Sequence, residues 1–333
     1  MKAVVATEQG SADVFRLVDL PKPIPGAGQV LVRIRATSVN PIDTKVRKAR
    51  LPMTPTSFPA VLGSDFAGTV DAVGPGVTRF APMDDVFGFA GGFRSAEGDV
   101  PGALAEFAVF DADLMAKMPS NIDFRSAAAL PLTATTAWKA LFEKVTITPG
   151  SRVLISGGAG GVGYLAVQLA NAAGADVVAV TRSEESSEAA ISAGARVCVD
   201  LAGTTPQEIV ENHAAGRGFD VILDTVGGAT LDAAFQMIKP AGDIVTVVGA
   251  ASHNLAPLYL KGANLHMVLV LVPIMFGMAR PLQGQILERI AQLVDAGKLT
   301  PRLDPQRFGL DQTADAHRKL EAGEARGKLI IDL

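Results

Sequence analysis

Two rhythms of apolar and polar residues divide the chain. Up to about residue 120, short runs such as KAVVAT, VLVRIRATSVN, AGTVDAVG and LAEFAVF stand between PKPIPGAG, GPG and FAGGF. Short runs bounded by Gly and Pro predict β-strands joined by turns, and a succession of them predicts a sandwich or barrel. From Arg152 the rhythm becomes apolar run, glycine, helical segment: RVLIS, a helix through Gly174, DVVAVT, a helix ending near Gly194, ARVCVD, another helix, FDVILDT, a helix, and GDIVTVVG. Strands apolar on both faces and joined by helices predict a doubly wound parallel sheet. After about residue 266 that alternation ends. In PLQGQILERIAQLVDAG the residues Ile286, Ile290, Leu293 and Val294 share one helical face, and GKLIIDL closes the chain. The expected organisation is α/β, with a β domain over 1–122, a cofactor-binding domain over 123–265 and a return segment over 266–333 that completes the first domain.

The most apolar stretch, LHMVLVLVPIMFGMA (Leu265 to Ala279), is shorter than the roughly 18 residues of a membrane span and is broken by Pro273. It predicts a buried strand over Leu265 to Val272 that lines a pocket wall or pairs edge to edge across a two-fold axis, making a homodimer. At 333 residues the chain has room for two domains. Thirty Lys and Arg against 34 Asp and Glu leave a net charge of −4, without the basic runs of a nucleic-acid footprint. The single cysteine, Cys198, excludes an internal disulfide framework and a cysteine-rich zinc lobe. With no secretory pattern in MKAVVATEQG, the expected setting is reducing and cytoplasmic.

Chemistry enters at GGAGGVG, directly after RVLIS. Gly158, Gly160 and Gly163 have the dinucleotide spacing, and Val162, Leu165, Ala166, Leu169 and Ala173 then recur at helical intervals. The first glycine makes the tight turn, the second lets backbone approach a pyrophosphate, and the third lets helix pack on strand. Gly158, Ala159, Gly160, Gly161, Val162 and Gly163 are therefore candidate cofactor contacts, with the pyrophosphate at the helix amino end. The next strand ends in Thr181, Arg182 and Ser183, with no carboxylate for a free ribose 2′-hydroxyl; Glu184 and Glu185 suit the opening of the following helix. Those three residues point to a 2′-phosphate and so to NADPH. Ligands of such sheets bind beyond the carboxyl ends of strands, which adds the backbone of Val226, Gly249 and Ala250.

The order of these parts, with NPIDTKVR (Asn40 to Arg47), LGSDFAG (Leu62 to Gly68), LPLTATTAW (Leu130 to Trp138) and GGAGGVG, resembles the zinc-free quinone oxidoreductase branch, zeta-crystallin type included, of the medium-chain dehydrogenase/reductase superfamily. The resemblance implies a GroES-like β-barrel beside a Rossmann domain. Zinc-dependent alcohol dehydrogenases of that superfamily place a cysteine, a histidine and a second cysteine where this chain carries Asn40, Ser64 and Leu132. Amide, hydroxyl and isobutyl groups are not zinc ligands, so no metal is expected.

The same resemblance assigns further residues. Asn40 reads either as a donor to the substrate oxygen or as part of an Asn-Pro turn that Asp43 caps. Lys45 reads as a cation for an enolate or as a solvated surface lysine. Thr136 reads as a contact of nicotinamide and phosphates or as helix packing. Lys328, in ARGK, reads as a cofactor contact or a plain basic loop. Apart from the resemblance, His253 is the one of the four histidines that lies just past the fifth strand, where it reads as a proton-donor candidate. The function implied is zinc-independent hydride transfer from NADPH to quinones or α,β-unsaturated carbonyls, with substrate between the two domains. The alternatives are a zinc-free enoyl or carbonyl dehydrogenase, and a non-catalytic NADPH-binding protein of crystallin or sensor type.

Overall fold

The alternation in QVLVRIRATSV becomes the eleven-residue strand Gln29–Val39. In this computed structural model, which describes residues 1–49, 51–249 and 251–333, three strands pair with it antiparallel. Asp65–Val73 runs along nearly its whole length, Phe107–Asp111 along its first half and Leu329–Asp332 along its last residues. The sheet continues through Asp85–Phe89 and Met115–Lys117 on one side and Phe308–Gly309 on the other. A smaller sheet joins Phe15–Asp19, Lys2–Ala6 and Ala60–Val61. Val30, Val32, Ile34, Phe66, Phe87, Phe89 and Phe110 are buried, with the Phe66 and Phe110 rings stacked at 4.2 Å. Each such side chain contributes about 1.5–3 kcal/mol on leaving water.

Register then decides where polar residues meet. Ser38 lies opposite Asp65 and Val39 opposite Leu329. Asn40 and Lys328, one residue beyond the latter pair, are thereby brought together at the same end of the sheet. Met1–Thr135 and Leu271–Leu333 form this unit; Thr136–Val270 forms the other.

In the second unit the apolar runs become six parallel strands: Arg152–Ser156, Asp176–Val180, Val197–Val199, Phe219–Asp224, Ile238–Thr246 and Asn264–Met267. Counted in chain order they lie 3-2-1-4-5-6, the Rossmann arrangement. Leu154, Val178, Ile222, Leu231 and Phe235 belong to its core. Lys261 donates to the carbonyls of Phe235, Gln236 and Ile238, placing a cation at the carboxyl end of the helix Ala229–Met237.

The expected strand Leu265 to Val272 is shorter than its apolar run: pairing stops at Met267, and Val272–Met275 is a helical turn with Pro273 near its start. Proline has no N–H for a ladder, but a first helical turn needs none there. Ile286, Ile290 and Val294 of the helix Arg280–Asp295 are buried and Leu293 half-buried, as their spacing predicts.

Candidate active site

In the second unit, Gly157 follows Ser156 with φ +67°, a conformation that suits glycine. A Cβ on Gly158 would lie 2.7 Å from that of Ala179, so the turn packs directly on the neighbouring strand. The helix Gly161–Ala172 starts from Gly160 with no side chain over its first N–H groups. Those groups and the helix dipole are left for an anion. Gly158 and Gly163 are buried, Ala159, Gly161 and Val162 half-buried, and Gly160 exposed. This bare, glycine-lined amino end fits the pyrophosphate of a dinucleotide.

The adjacent strand ends bind one another. Thr225 donates through Oγ1 to the Ser156 carbonyl at 2.7 Å, spanning the point where strand order reverses. The buried Asp224 carboxylate accepts from Gly227 N at 3.0 Å, Val226 N at 3.3 Å and Thr246 Oγ1 at 3.0 Å. Val226 is half exposed and Gly249 exposed at this edge; Ala250 lies outside the described residues. Of the three residues ending the second strand, only Arg182 offers a free side chain. It is exposed, whereas Thr181 is buried with its hydroxyl 2.7 Å from that of Ser187, and Ser183 caps the helix Glu184–Ser192. Glu184 and Glu185 open that helix. Cys198 is half-buried and its thiol is pushed up by burial. His253 pairs with Asp232 at 2.8 Å and sits edge-on to Phe235.

The first unit gathers a second cluster. Pro41 opens the helix Pro41–Lys48, and Asp43 reaches back to accept the Asn40 N–H at 2.7 Å. The Asn40 side chain is committed elsewhere: Nδ2 donates to Asp65 at 2.8 Å and to Ser64 Oγ at 3.3 Å, and Oδ1 accepts from Lys328 at 2.6 Å. Ser64 donates to Asp43 at 2.9 Å, Ser38 donates to Asp65 at 2.6 Å, and the Leu132 N–H donates to the other Asp65 oxygen at 2.9 Å. Asn40, Asp43, Ser64, Asp65 and Lys328 are all buried. Burial pushes Asp43 up to about 6; the Asn40 N–H opposes this and the Asp65 charge adds to it. Burial also lowers Lys328, against the pull of Asp65 and Asp43.

This cluster revises two expectations. Both N–H bonds of the Asn40 amide are used inside the protein, so it has none for a substrate oxygen, and its role is to hold the network. Lys328 is likewise buried, with its ammonium on protein oxygens, and not part of an exposed basic loop. Lys45 is exposed on its helix, and Thr136 is buried in the helix Pro131–Trp138. Asp65 was the residue missed. Its signal is a carboxylate at the head of the otherwise apolar DFAGTV, where only a buried partner makes it tolerable.

Zinc does not fit this donor set. Asn40, Ser64 and Leu132 are indeed brought together, but around an ammonium-bound carboxylate, with an amide, a hydroxyl and a backbone N–H instead of thiolate and imidazole. Among the described residues no three His, Cys, Asp or Glu side chains are grouped to hold a metal, and no helix is long and apolar enough to cross a membrane.

Comparison with known proteins bears on the whole chain. The alcohol dehydrogenase GroES-like domain family matches residues 26–120 and the zinc-binding dehydrogenase family residues 193–331. The NADPH-dependent alkenal/one oxidoreductase, chloroplastic, of Arabidopsis thaliana is 32% identical over 99% of this chain and 79% of its own. A crystal structure of an alcohol dehydrogenase superfamily protein from Novosphingobium aromaticivorans is 39% identical with a TM-score of 0.93, covering 100% of this chain and 99% of that one. The Pseudomonas syringae quinone oxidoreductase is 27% identical with a TM-score of 0.87, covering 100% and 99%.

Proposed function

Because this chain belongs to the medium-chain dehydrogenase/reductase superfamily, we propose that it is an NADPH-dependent reductase of quinones and α,β-unsaturated carbonyls that works without a metal ion. The observation that carries the reading is the cluster of Asn40, Ser64, Asp65 and Lys328, whose donors suit no zinc ion. Without a Lewis acid, the acceptors that react are those whose hydride adduct is already stabilised by conjugation. The similarity to an alkenal/one oxidoreductase and to a quinone oxidoreductase supports that class.

Bound NADPH supplies the hydride. The protein's share is to hold the pyrophosphate on the first turn of Gly161–Ala172, to meet the 2′-phosphate with Arg182, and to shape the nicotinamide edge with the backbone of Val226 and Gly249. Thr181 and Ser183 support the backbone around Arg182. Lys45, exposed and without a side-chain partner among the described residues, is the side chain we assign to a developing oxyanion.

A homodimer and a cytoplasmic setting belong to the same proposal. The edge strand Asn264–Met267 and the helix Ala256–Lys261 expose Met267, Tyr259 and Leu260 in the second unit, an apolar edge that a second copy would cover.

The test is NADPH and NADH oxidation with a simple quinone, an enal, an enone and a saturated aldehyde, with and without chelator. NADPH-preferring turnover of quinone or enone, indifferent to chelator, is expected. Tight NADPH binding without turnover of any acceptor would establish the non-catalytic alternative, and zinc-dependent turnover would overturn the metal-free chemistry.

A further inference from the structure

The ammonium of Lys328 carries three N–H donors and meets three oxygens: Asn40 Oδ1 at 2.6 Å, the Val39 carbonyl at 3.4 Å and Asp65 Oδ2 at 3.4 Å. The Lys328 side chain is 7% exposed and that of Asp65 is 0% exposed. A second buried carboxylate, Asp43, joins the cluster through Ser64, which accepts from the Asn40 amide and donates to Asp43. A carboxylate, an amide oxygen and a backbone carbonyl withdrawn from water form the oxygen-rich surroundings that a hard cation takes. An uncompensated charge at such depth is strongly unfavourable.

We propose that Lys328 is the cation of this cluster, a positioning residue whose ammonium fills a cation site built by Asn40, Val39 and Asp65 and so closes that site to metal ions. The charge arrives with the strand Leu329–Asp332, and its effect passes through Asp65. With its charge balanced, Asp65 holds Ser38, the Asn40 amide and the Leu132 N–H at once. It thereby fixes the starts of the helices Pro41–Lys48 and Pro131–Trp138 on one carboxylate. The cluster is independent of metal supply because its cation is covalently part of the chain. This inference does not rest on the proposed reaction.

Melting temperatures of four proteins test it: wild type, Lys328→Ala, Lys328→Met and the double variant Lys328→Met with Asp65→Asn. Each is measured in chelator-treated buffer, with added Mg²⁺, and with added ethylammonium. Wild type is expected to be indifferent to all three. Both single variants should melt lower by roughly 5–10 °C. Lys328→Ala, which leaves the space open, should regain at least about half of its loss with Mg²⁺ or ethylammonium; Lys328→Met, which fills the space without charge, should regain none. The double variant should melt above Lys328→Met.

A loss under about 2 °C in Lys328→Met would overturn the proposal. So would a Lys328→Ala variant that folds but answers neither cation, or a double variant no more stable than Lys328→Met. If Lys328→Ala does not fold, the comparison of Lys328→Met with the double variant decides.

Discussion

Gly163 lies against Gly157 so closely that a Cβ on Gly163 would stand 2.1 Å from the Gly157 carbonyl oxygen. The contact is backbone to backbone, so no rotamer can relieve it. Gly163→Ala is expected to open the turn, weaken NADPH binding more than about tenfold and cost roughly 1–3 kcal/mol of stability through overpacking. Gly160→Ala places its Cβ 3.2 Å from the same oxygen and should be the milder change. Fluorescence titration with NADPH and thermal melts of both variants check the order.

Arg182 is exposed at the end of the second strand of its unit and, among the described residues, pairs with no carboxylate. Arg182→Ala should therefore leave stability within about 0.5 kcal/mol of wild type. A charge-assisted bond to the 2′-phosphate contributes about 1.5–3 kcal/mol, so Kd for NADPH should rise about 10- to 100-fold while Kd for NADH stays put. Parallel titrations with the two dinucleotides check this, and equal effects on both would show that Arg182 does not read the phosphate.

His317 is buried edge-on to Phe15, whose ring also carries the Arg47 guanidinium, and burial followed by the Arg47 charge lowers it from 6.5 to about 3. Between those values the unfolded chain binds a proton that the folded chain refuses, so stability falls as pH drops from about 6.5. Asp43 acts in the opposite sense: raised to about 6, it favours the folded state most below its ordinary 3.8 and loses that contribution as pH rises through 6. His317→Gln should flatten the acid limb by about 3 kcal/mol between pH 7 and pH 4. Urea unfolding across that range measures it, and an unchanged slope would mean that His317 does not titrate against folding.

Leu260 is 82% exposed beside the edge strand Asn264–Met267. If a second copy covers that edge, Leu260→Glu should weaken self-association more than about tenfold without lowering the melting temperature. Sedimentation velocity over a range of concentrations separates this from a monomeric wild type, for which the substitution would change nothing.

What the sequence disclosed, and what it withheld, follows from the range of each interaction. GGAGGVG imposes its geometry on itself: the glycines are needed by backbone a few residues away, so spacing alone located the turn, and the apolar rhythm around it carried the parallel sheet. The buried setting of Lys328 was hidden because its partners Asn40 and Asp65 are 288 and 263 residues distant. Only the register of Leu329–Asp332 against Gln29–Val39 brings them together, and no local pattern encodes a register between such remote strands. Arg47 is a similar case. No local pattern marks it among its basic neighbours, yet it is wholly buried and paired with Glu321 because its helix turns that position inward. The strand expected to reach Val272 failed for a local reason, since an apolar run reports burial and does not say whether strand or helix achieves it.

The pairing of Leu329–Asp332 with Gln29–Val39 also sets a timetable at the ribosome. At about 5–20 residues per second, the older strand waits on the order of tens of seconds for its neighbour to be translated. The unit from Thr136 to Val270 is contiguous and can close during that delay. Until the late strand arrives, the nascent chain carries an unfilled β edge beside residues 36–39, a row of unpaired N–H and C=O groups open to pairing with another chain.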